Sequence, residues 1–509
     1  MQYPNDRLGN SLLMLVSGLF ILATADAQTD LVRASGLSPF ANCKVGPLTQ
    51  TAVGEFNYLN SEVEPFVAVN SLHPQHIVGV WQQDRYSFGG ARGLVTGVSH
   101  DGGTTWARTF AHFSICAGGK PSNGGNYERA SDPWVTISPD GTVYQSALVF
   151  DAVRGVSKAV LVSRSTDNGD TWSEPTALIR DADPNVVDDK ETITADPRQS
   201  RFVYAVWDRL DYNGGYSGPV WFARTTNGGK SWERARIIYN PGADSSTIGN
   251  QIVVLPDGTL VNIFTRFDMA AGGAVLAIIR SKDHGAHWSP PIVINTLESV
   301  GVVDVKNAEL VRTGEVEPSI AVDRKRGAMY VVWQDARFSG GKRDGIVYAK
   351  SVNGGLTWSA PVQLNRVPAV QAFTASVDVT SNGVVAVNYY DFRNDTANPD
   401  VLLTNYWQVT STNGGASWQE RQRGPTFDMV TAPYADGYFV GDYEVLGHQD
   451  DTFLPFFAQA NSGHLWNRTD VFAAVTAGAA SLGNGHAEVN ARPRGLRERV
   501  ESHRERKPH

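Results

Sequence analysis

The chain has 509 residues, of which 41% are hydrophobic and 19% charged, a composition typical of a globular protein larger than one small core. The formal net charge is −8, and the basic residues of segment 478–509 leave the body before it more acidic still, which disfavours nucleic acid as a partner. After residue 27 the sequence has no run long and apolar enough to span a bilayer, so we expect no membrane partner.

The first 27 residues have the pattern of a secretory signal. Arg7 precedes an apolar run at residues 12–23, and Ala25-Asp26-Ala27 follows as a small-residue cleavage site. The run is short for a membrane span, and an uncleaved anchor is the alternative. We therefore expect a secreted, extracellular protein.

An octet of the form S/T-x-D/N-x-G-x-T/S/H-W occurs six times in the chain. A repeat of this kind, with its copies 56 to 70 residues apart, indicates a repeat architecture. The octets end at Trp106, Trp172, Trp232, Trp288, Trp358 and Trp418.

Each octet has the chemistry of a hairpin turn. The Asp or Asn at its third position, such as Asp101, can accept hydrogen bonds from backbone amides just ahead. The glycine at its fifth position, such as Gly103, tolerates a positive φ, and the tryptophan buries a ring at the start of the returning strand. We interpret these acids and amides as turn formers rather than catalytic groups.

Short β-rich runs separated by Gly, Asp and Asn turns lie between the octets. Residues 64–69, 76–81 and 94–98 lead into the first octet, and residues 317–322, 329–333 and 346–349 match them before the fifth. Three strands before each octet and one after it would make a four-stranded antiparallel blade. The sequence therefore predicts an all-β propeller over residues 28–477. The remaining units start near Asp132, Asp189, Gly249 and Phe373.

A seventh unit has no octet and no evident fourth strand. Residues 441–446, 453–457 and 470–475 resemble its first three strands. The segment from Cys43 to Tyr58 could supply the fourth strand and close the ring, which would leave no open edge. We therefore favour seven blades, with six as the alternative, and expect residues 478–509 to form a disordered basic tail.

The chain has two cysteines, Cys43 and Cys116. In the oxidising surroundings of a secreted protein these two residues could form a disulfide. Two unpaired thiols are the alternative.

The octets resemble the Asp-box, or BNR, repeats of the sialidase superfamily, over a span from about Glu64 to Val475. This resemblance implies a β-propeller that acts on or binds carbohydrate. Family sialidases hold a substrate carboxylate with three arginines and use a Tyr nucleophile partnered by a Glu, with an Asp as acid/base. The family's Asn-Glu-x-x-Val-Val-Glu-Leu stretch and the arginine after it are similar to residues 249–255 and Arg266, with Gly249 at the place of the catalytic glutamate.

Topology places the candidate site at the start of the first strands. In a four-stranded meander, the start of the first strand and the end of the second lie on one face, and the octet turn lies on the opposite face. The first strand is innermost, so its first residues ring a central funnel, which is the default pocket of such a fold.

Two sets of charged residues are expected at this funnel. Paired carboxylates suit acid/base cleavage of a glycosidic bond, arginine forks suit an acidic sugar, and a carboxylate ring could equally hold Ca²⁺. Because both sets recur along the repeat, salt bridges between blades are the alternative. Acids precede the first strands at Glu64, Asp132, Asp189, Glu191, Glu317, Asp442 and Glu444, and Asp/Arg pairs such as Asp335 with Arg337 and Asp391 with Arg393 end the second strands.

Tyr443 is the candidate nucleophile, because it opens an innermost strand, between two acids, in the unit that departs from the repeat. A phenol needs a neighbouring carboxylate to take its proton, and the alternation of side chains along a strand favours Glu317, across the funnel, over Glu444. Asp132 completes the predicted catalytic set. The predicted substrate-binding residues are Arg85, Arg266 and Arg337 for a substrate carboxylate, together with Asp189, Glu191 and Asp442.

The sequence thus predicts a secreted, sialidase-like glycoside hydrolase that acts on terminal sugars, acidic ones included. We expect a monomer with a carbohydrate substrate or ligand, without a cofactor or a catalytic metal, and with structural Ca²⁺ as the one metal considered. A non-catalytic propeller that binds glycan or protein, and a polysaccharide lyase acting on uronic-acid polymers, are the alternatives.

Overall fold

The structure is a computed structural model that describes residues 29–45, 55–152, 157–269 and 271–476. The predicted signal, residues 1–27, and the predicted tail, residues 478–509, lie outside these residues. The described part consists of strands β1–β33 with three short 3-10 helices, Ile115–Ala117, Arg337–Ser339 and Met429–Thr431. Within that part, no helix has the length and apolar character needed to cross a membrane.

The strands occur in the order that the octets predict. The first half of the described chain contains β1 (Thr29–Arg33), β2 (Glu62–Val69), β3 (Ile77–Arg85), β4 (Ala91–Ser99), β5 (Ala107–Thr109), β6 (Arg129–Ile137), β7 (Val143–Phe150), β8 (Lys158–Ser165), β9 (Thr176–Asp181), β10 (Val186–Ala195), β11 (Val203–Asp211), β12 (Ser217–Gly218), β13 (Val220–Thr225), β14 (Arg236–Tyr239), β15 (Ser245–Val254), β16 (Leu260–Asp268), β17 (Gly273–Ser281) and β18 (Ile292–Thr296). The second half contains β19 (Val302–Asp304), β20 (Glu309–Arg312), β21 (Ser319–Val322), β22 (Met329–Asp335), β23 (Gly345–Ser351), β24 (Val362–Gln363), β25 (Ala372–Val379), β26 (Val385–Asp391), β27 (Leu403–Ser411), β28 (Gln419–Gln422), β29 (Phe427–Asp428), β30 (Tyr438–Phe439), β31 (Val445–Gln449), β32 (Thr452–Ala460) and β33 (Thr469–Thr476).

These strands pair into four-stranded antiparallel units, which confirms the predicted all-β propeller architecture. The units are β2–β5, β6–β9, β10 with β11, β13 and β14, β15–β18, β21–β24, β25–β28, and β31–β33 with β1. The first strand of each unit contacts the first strand of the next, and β31 returns to β2. This ring of contacts favours seven blades, although the number of blades stays a prediction.

The octets lie between the third and fourth strands of their units, where they form hairpin turns. In the first octet, the amide of Gly103 donates to Ser99 Oγ at 2.8 Å, and the amide of Thr105 donates to Asp101 Oδ1 at 2.9 Å. The indole of Trp106 donates to the carbonyl of Gly103 at 2.9 Å. The carboxylate of Asp101 is therefore used to hold the turn, as predicted.

The ring closes between the two ends of the described chain, but with a different segment from the one predicted. Strand β1 pairs antiparallel with β33, from Thr29 opposite Thr476 to Arg33 opposite Phe472. Strand β1 therefore takes the place predicted for the segment from Cys43 to Tyr58, of which residues 46–54 lie outside the described residues. Instead, Cys43 is bonded to Cys116, and the preceding Phe40 is buried in the core cluster beside them.

Replacing both Cys43 and Cys116 by serine is expected to lower the free energy of unfolding by about 2–4 kcal/mol. The bond joins residues 73 positions apart, so it restricts the unfolded chain strongly. Urea unfolding of the double variant and the wild type, both without reductant, measures this loss. Two titratable thiols in denatured, unreduced wild-type protein would contradict the bond.

An ion pair joins the sixth and seventh units on the face of the ring where the octet turns lie. His448 in β31 places Nδ1 at 2.6 Å from Asp378 Oδ2 in β25. Burial alone would lower the pKa of His448, but the carboxylate of Asp378 raises it above its ordinary value, with Asp450 adding to the shift and Arg324 opposing it. The pair therefore stabilises the fold below the unfolded pKa of histidine, about 6.5, and this contribution is lost as pH rises through the higher folded-state pKa.

The replacement of His448 by glutamine is accordingly expected to lower the melting temperature more at about pH 5.5 than at about pH 9, because deprotonation of the imidazole removes the charge that Asp378 attracts. Thermal unfolding of the two proteins at both pH values measures the difference. An equal loss at the two pH values would show that the ion pair does not contribute.

Candidate functional site

The first strands carry a β-bulge close to their start, and this bulge builds the site. In five units the pairing of first and second strands shifts register at this point. One residue within each shift has a positive φ, a backbone conformation that is uncommon for residues other than glycine. A bulge of this kind changes the direction in which the side chain points. These residues are Glu64 (φ 53°), Asp132 (φ 50°), Lys190 (φ 51°), Gly249 (φ 71°) and Thr374 (φ 46°).

Side chains from the starts of the first strands meet at Lys190, which we take as the centre of the site; two of them, Glu64 and Asp132, come from the bulges of other units. The ammonium Nζ lies 2.8 Å from Asp442 Oδ2 and 3.1 Å from Glu317 Oε1. It also lies 3.6 Å from Glu64 Oε1 and 3.9 Å from Asp132 Oδ1. The Lys190 side chain is 7% exposed. These five residues, from five different units, are called the Lys190 cluster below.

An insertion between the fourth and fifth units brings a second cation to the cluster. Strand β20 pairs in parallel with β30, placing Arg312 opposite Phe439. From there, Arg312 Nε donates to Asp442 Oδ1 at 2.9 Å, and a second guanidinium nitrogen bonds the other carboxylate oxygen. The guanidinium groups of Arg312 and Arg85 both lie over the ring of Phe439, 4.6 and 5.1 Å from its centre.

This environment separates the pKa values of the carboxyl groups. Burial raises the pKa of Glu64 to about 7, although Lys190 opposes the shift. Burial also raises the pKa of Asp132 and raises that of Glu317 well above its ordinary value. For Asp442, burial acts in the same direction, but Lys190 and Arg312 outweigh it and hold the pKa below its usual range. The site can therefore hold a protonated and an ionised carboxyl group near neutral pH.

The cations are also perturbed by their surroundings. Burial would lower the pKa of Lys190, but its carboxylate neighbours raise it well above the ordinary value, so the ammonium stays charged. Burial and the nearby Arg312 lower the pKa of Arg85 to about 10.

Two cavities meet at the Lys190 cluster. The first, the cleft, has a volume of about 390 Å³ and lies at the start of the first strands. The second, the central channel, has a volume of about 310 Å³ and runs between the first strands to the octet face. Lys190 lines the cleft, whereas its partners Glu317 and Asp442 line the channel.

The cleft combines charged and apolar side chains. Ligand pockets of about 300–1,000 Å³ commonly have such a lining, with a few convergent polar groups beside apolar surface. The charged residues include Glu64, Arg85, Asp132, Asp189, Lys190 and Arg312, and the apolar ones include Leu148, Phe150, Val186 and Val187.

Most of the predicted site residues lie in this region. Asp132, Glu317 and Asp442 belong to the Lys190 cluster, and Arg85 and Asp189 line the cleft. Glu191 is buried beside them, and neither of its carboxyl oxygens has a hydrogen-bond partner among the described residues. Burial and the nearby Asp132 raise the pKa of Glu191 well above its ordinary value.

Tyr443 has a different partner from the one predicted. Its hydroxyl donates to the carbonyl of Pro133 at 3.3 Å, while Glu317 is bound to Lys190. Burial and the surrounding carboxylates raise the pKa of Tyr443 well above its ordinary value. A phenol without a carboxylate acceptor is a poor nucleophile, so the predicted pairing of Tyr443 with Glu317 is not the arrangement found.

Two of the three predicted arginines lie away from the cluster. Arg266 is in β16 and lines neither the cleft nor the channel. Arg337 donates to Asp335 Oδ1 at 2.7 Å and to the carbonyl of Thr296 at 2.6 Å. Asp391 and Arg393 form the same local pair. These repeated Asp/Arg pairs therefore serve as scaffold contacts.

The sequence prediction did not select the two cations that organise the site. Lys190 belongs to the charged run 188–191 at the start of a first strand, from which the prediction takes only Asp189 and Glu191. Arg312 lies outside the repeat, in a strand that pairs with residues more than a hundred positions away, so no local pattern indicates it. Glu64 was considered with the other acids, and its position before Pro65 matches Asp132 before Pro133.

The site has carboxylates but no evident metal centre. No group of three or more His, Cys, Asp or Glu residues within residues 29–45, 55–152, 157–269 and 271–476 is arranged to hold a metal ion. Lys190 occupies the place between the carboxylates, so the cluster fits an ammonium rather than a Ca²⁺ ion.

No family model and no curated protein matches the chain. Among solved structures, the chain is similar to a Hadza microbial sialidase, with 14% identity and a TM-score of 0.45 over 79% of this chain and 73% of that one. It is also similar to an α-L-arabinofuranosidase from Fusarium graminearum, with 14% identity and a TM-score of 0.44 over 65% and 88% of the two chains. A third is an α-L-arabinanase from Penicillium chrysogenum, with 12% identity and a TM-score of 0.43 over 69% and 95%. These likenesses are distant.

Proposed function

We propose that the protein is a secreted glycoside hydrolase that cleaves a terminal sugar in the cleft. The observation that supports this function is the separation of carboxyl pKa values beside a partly apolar cavity. Glu64, with a pKa of about 7, faces the same ammonium as Asp132, whose pKa burial also raises, and as Asp442, whose pKa lies below its usual range. A site that holds protonated and ionised carboxyl groups side by side can supply an acid and a base for glycosidic cleavage.

In this proposal Glu64 is the general acid. Gln82 donates to Glu64 Oε2, which fixes the orientation of the carboxyl group. At a pKa of about 7 the group still carries its proton in much of the neutral range, and it can give this proton to the glycosidic oxygen as the bond breaks.

Asp132 is the proposed ionised partner, which stabilises the positive charge that develops at the sugar or activates the attacking water. Its Oδ1 and Glu64 Oε1 are 3.9 and 3.6 Å from the same nitrogen. The two carboxyl groups therefore lie side by side, and the Asp132 side chain is also hydrogen-bonded to Glu64. Burial raises the pKa of Asp132, and Lys190 opposes this shift by favouring the ionised form.

Arg85 is the proposed contact for an acidic group on the sugar. It is 2% exposed and donates to the carbonyl of Gly90 at 2.6 Å, but its Nε has no hydrogen-bond partner among the described residues. A buried guanidinium with an unused donor at the edge of a cavity suits a carboxylate. The apolar side chains of Leu148 and Phe150 would pack against the C–H face of the ring.

The experiment is an assay of the purified protein on a panel of chromogenic glycosides and sugar polymers, including sialosides, arabinosides and uronate polymers. We expect hydrolysis of at least one glycoside by the wild type and its loss in Glu64→Gln. Formation of unsaturated uronate products would instead identify a polysaccharide lyase. No turnover on any substrate would contradict the proposed hydrolase.

Glycan binding without catalysis is the second candidate function. The observation in its favour is that Asp442 is fully engaged by Lys190 and Arg312, and Glu317 by Lys190. Cations and carboxylates that are paired with one another suit a rigid binding surface. Retention of the wild type on an immobilised glycan, with no product released, would support this function.

A further inference from the structure

The loop at residues 87–90 borders the cleft and carries an exposed aromatic side chain. Phe88 is 72% exposed, although the next two residues, Gly89 and Gly90, line the cleft itself. Both glycines have a positive φ, of 55° and 65°. A Cβ at Gly90 would lie 3.1 Å from the ring of Phe150 and 3.3 Å from a backbone carbonyl, so this edge of the cleft has room for backbone only.

Two buried arginines hold this loop in place. Arg129 is 1% exposed, donates to the carbonyl of Gly89 at 2.8 Å and also bonds the carbonyl of Phe88. Arg85, which lines the cleft, donates to the carbonyl of Gly90 at 2.6 Å. Backbone carbonyls of three successive residues are thus fixed by side chains that solvent does not reach.

Further contacts restrict the loop on its other side. The amide of Ser87 donates to the carbonyl of Phe56 at 2.8 Å, and the amide of Phe56 donates to Ser87 Oγ at 2.9 Å. The guanidinium of Arg129 also lies 4.2 Å from the centre of the Tyr86 ring and forms an ion pair with Glu55. An exposed aromatic side chain on a loop held this firmly loses little conformational freedom when it binds a ligand.

From this geometry we infer that Phe88 is a specificity-determining residue that packs against a second sugar ring, next to the one bound in the cleft. This inference rests on the proposed function. It assigns the substrate to the class of oligo- or polysaccharides, cleaved at the end ring, because a single sugar in the cleft would leave the Phe88 ring in water. The face of an aromatic ring and the C–H face of a sugar are complementary apolar surfaces of similar size.

The test compares substrates with one and with several rings. For the glycoside identified in the panel, kcat/KM is measured on the nitrophenyl monosaccharide and on oligosaccharides of the same sugar. In Phe88→Ala, the ratio of oligosaccharide to monosaccharide kcat/KM is expected to fall about tenfold, mainly through KM. Phe88→Tyr should restore it. Phe338→Ala is the matched control, because Phe338 is also exposed, at 48%, but its loop contributes no residue to the cleft, whereas Gly89 and Gly90 beside Phe88 do.

The outcomes separate this inference from the proposed function. An active enzyme with the same ratio in the wild type and in Phe88→Ala would overturn the subsite and leave the hydrolase proposal intact. If the wild type hydrolyses nothing, electrophoresis in gels containing arabinan, polygalacturonate or mucin tests the subsite by binding alone. Retardation of the wild type that is lost in Phe88→Ala would support it. Equal migration of the two proteins in all three gels would overturn it.

Discussion

Replacement of Glu64 by glutamine is expected to lower kcat by about 10²–10⁴, the usual loss when a general acid is removed. The amide keeps the size of the carboxyl group and can still bond Gln82, which now binds Glu64 Oε2. The loss should therefore arise from the missing proton rather than from a changed cleft. Steady-state kinetics on the substrate identified in the panel measure it.

Glu62→Gln is the matched control for this variant. Glu62 is a buried glutamate in the same strand, but its carboxylate accepts from Gln83 at 2.5 Å and does not reach Lys190. It should retain most of the wild-type kcat. A similar loss in both variants would indicate general damage to β2, and full activity in Glu64→Gln would exclude Glu64 as the acid.

The pH profile gives an independent check on the same residue. Glu64 must be protonated to act as an acid, so the wild-type rate should fall as pH rises through about 7, the pKa that burial gives this group. The free energy of unfolding should also fall as pH rises. Between pH 4.5 and about 7, Glu64 holds its proton more tightly in the folded state than in the unfolded chain. The fold thus loses stability as pH rises through that window. In Glu64→Gln this part of the pH dependence of the unfolding free energy should disappear.

Much of the fold follows from local sequence signals. The octets combine an Asp or Asn, a glycine and a tryptophan within eight residues, and each of these has a local role, as the hydrogen bonds of Asp101 show. The first strands are also predictable, because acid-proline pairs such as Glu64-Pro65 mark their starts. What could not be predicted is the strand that closes the ring. Thr29–Arg33 has only five residues, and its partner β33 lies at the other end of the described chain.

The position of the site could be predicted from the sequence, but the roles of its individual residues could not. The acids at the strand starts indicate where charge converges, and Asp132, Glu317 and Asp442 do meet there. The pKa of Asp442 depends in part on Arg312, which arrives from an insertion whose pairing with β30 is non-local. The arginines after the second strands look alike in sequence, yet Arg85 turns toward the cleft and Arg337 toward its own Asp335. Only the packing of neighbouring units distinguishes the two.

Replacement of Lys190 by methionine is expected to lower the free energy of unfolding by about 3–5 kcal/mol, the usual cost of removing one partner from a buried ion pair. Methionine fills a similar volume but leaves Glu317 and Glu64 without their cation, and Asp442 with Arg312 alone. Urea unfolding at neutral pH measures the loss.

The pH dependence of this loss identifies its cause. As pH falls, the carboxyl groups with a raised pKa around position 190, Glu64 and Glu317, become protonated, and a neutral carboxyl group no longer requires the ammonium. The difference in unfolding free energy between the wild type and Lys190→Met should therefore be smaller at about pH 5 than at about pH 8. Arg326→Met is the control, because Arg326 pairs with Asp323 at 2.9 Å but is 63% exposed, and such a surface pair contributes at most about 1 kcal/mol. A loss in Lys190→Met no larger than that in Arg326→Met, or one that does not change with pH, would show that the Lys190 cluster is not held together by its charge.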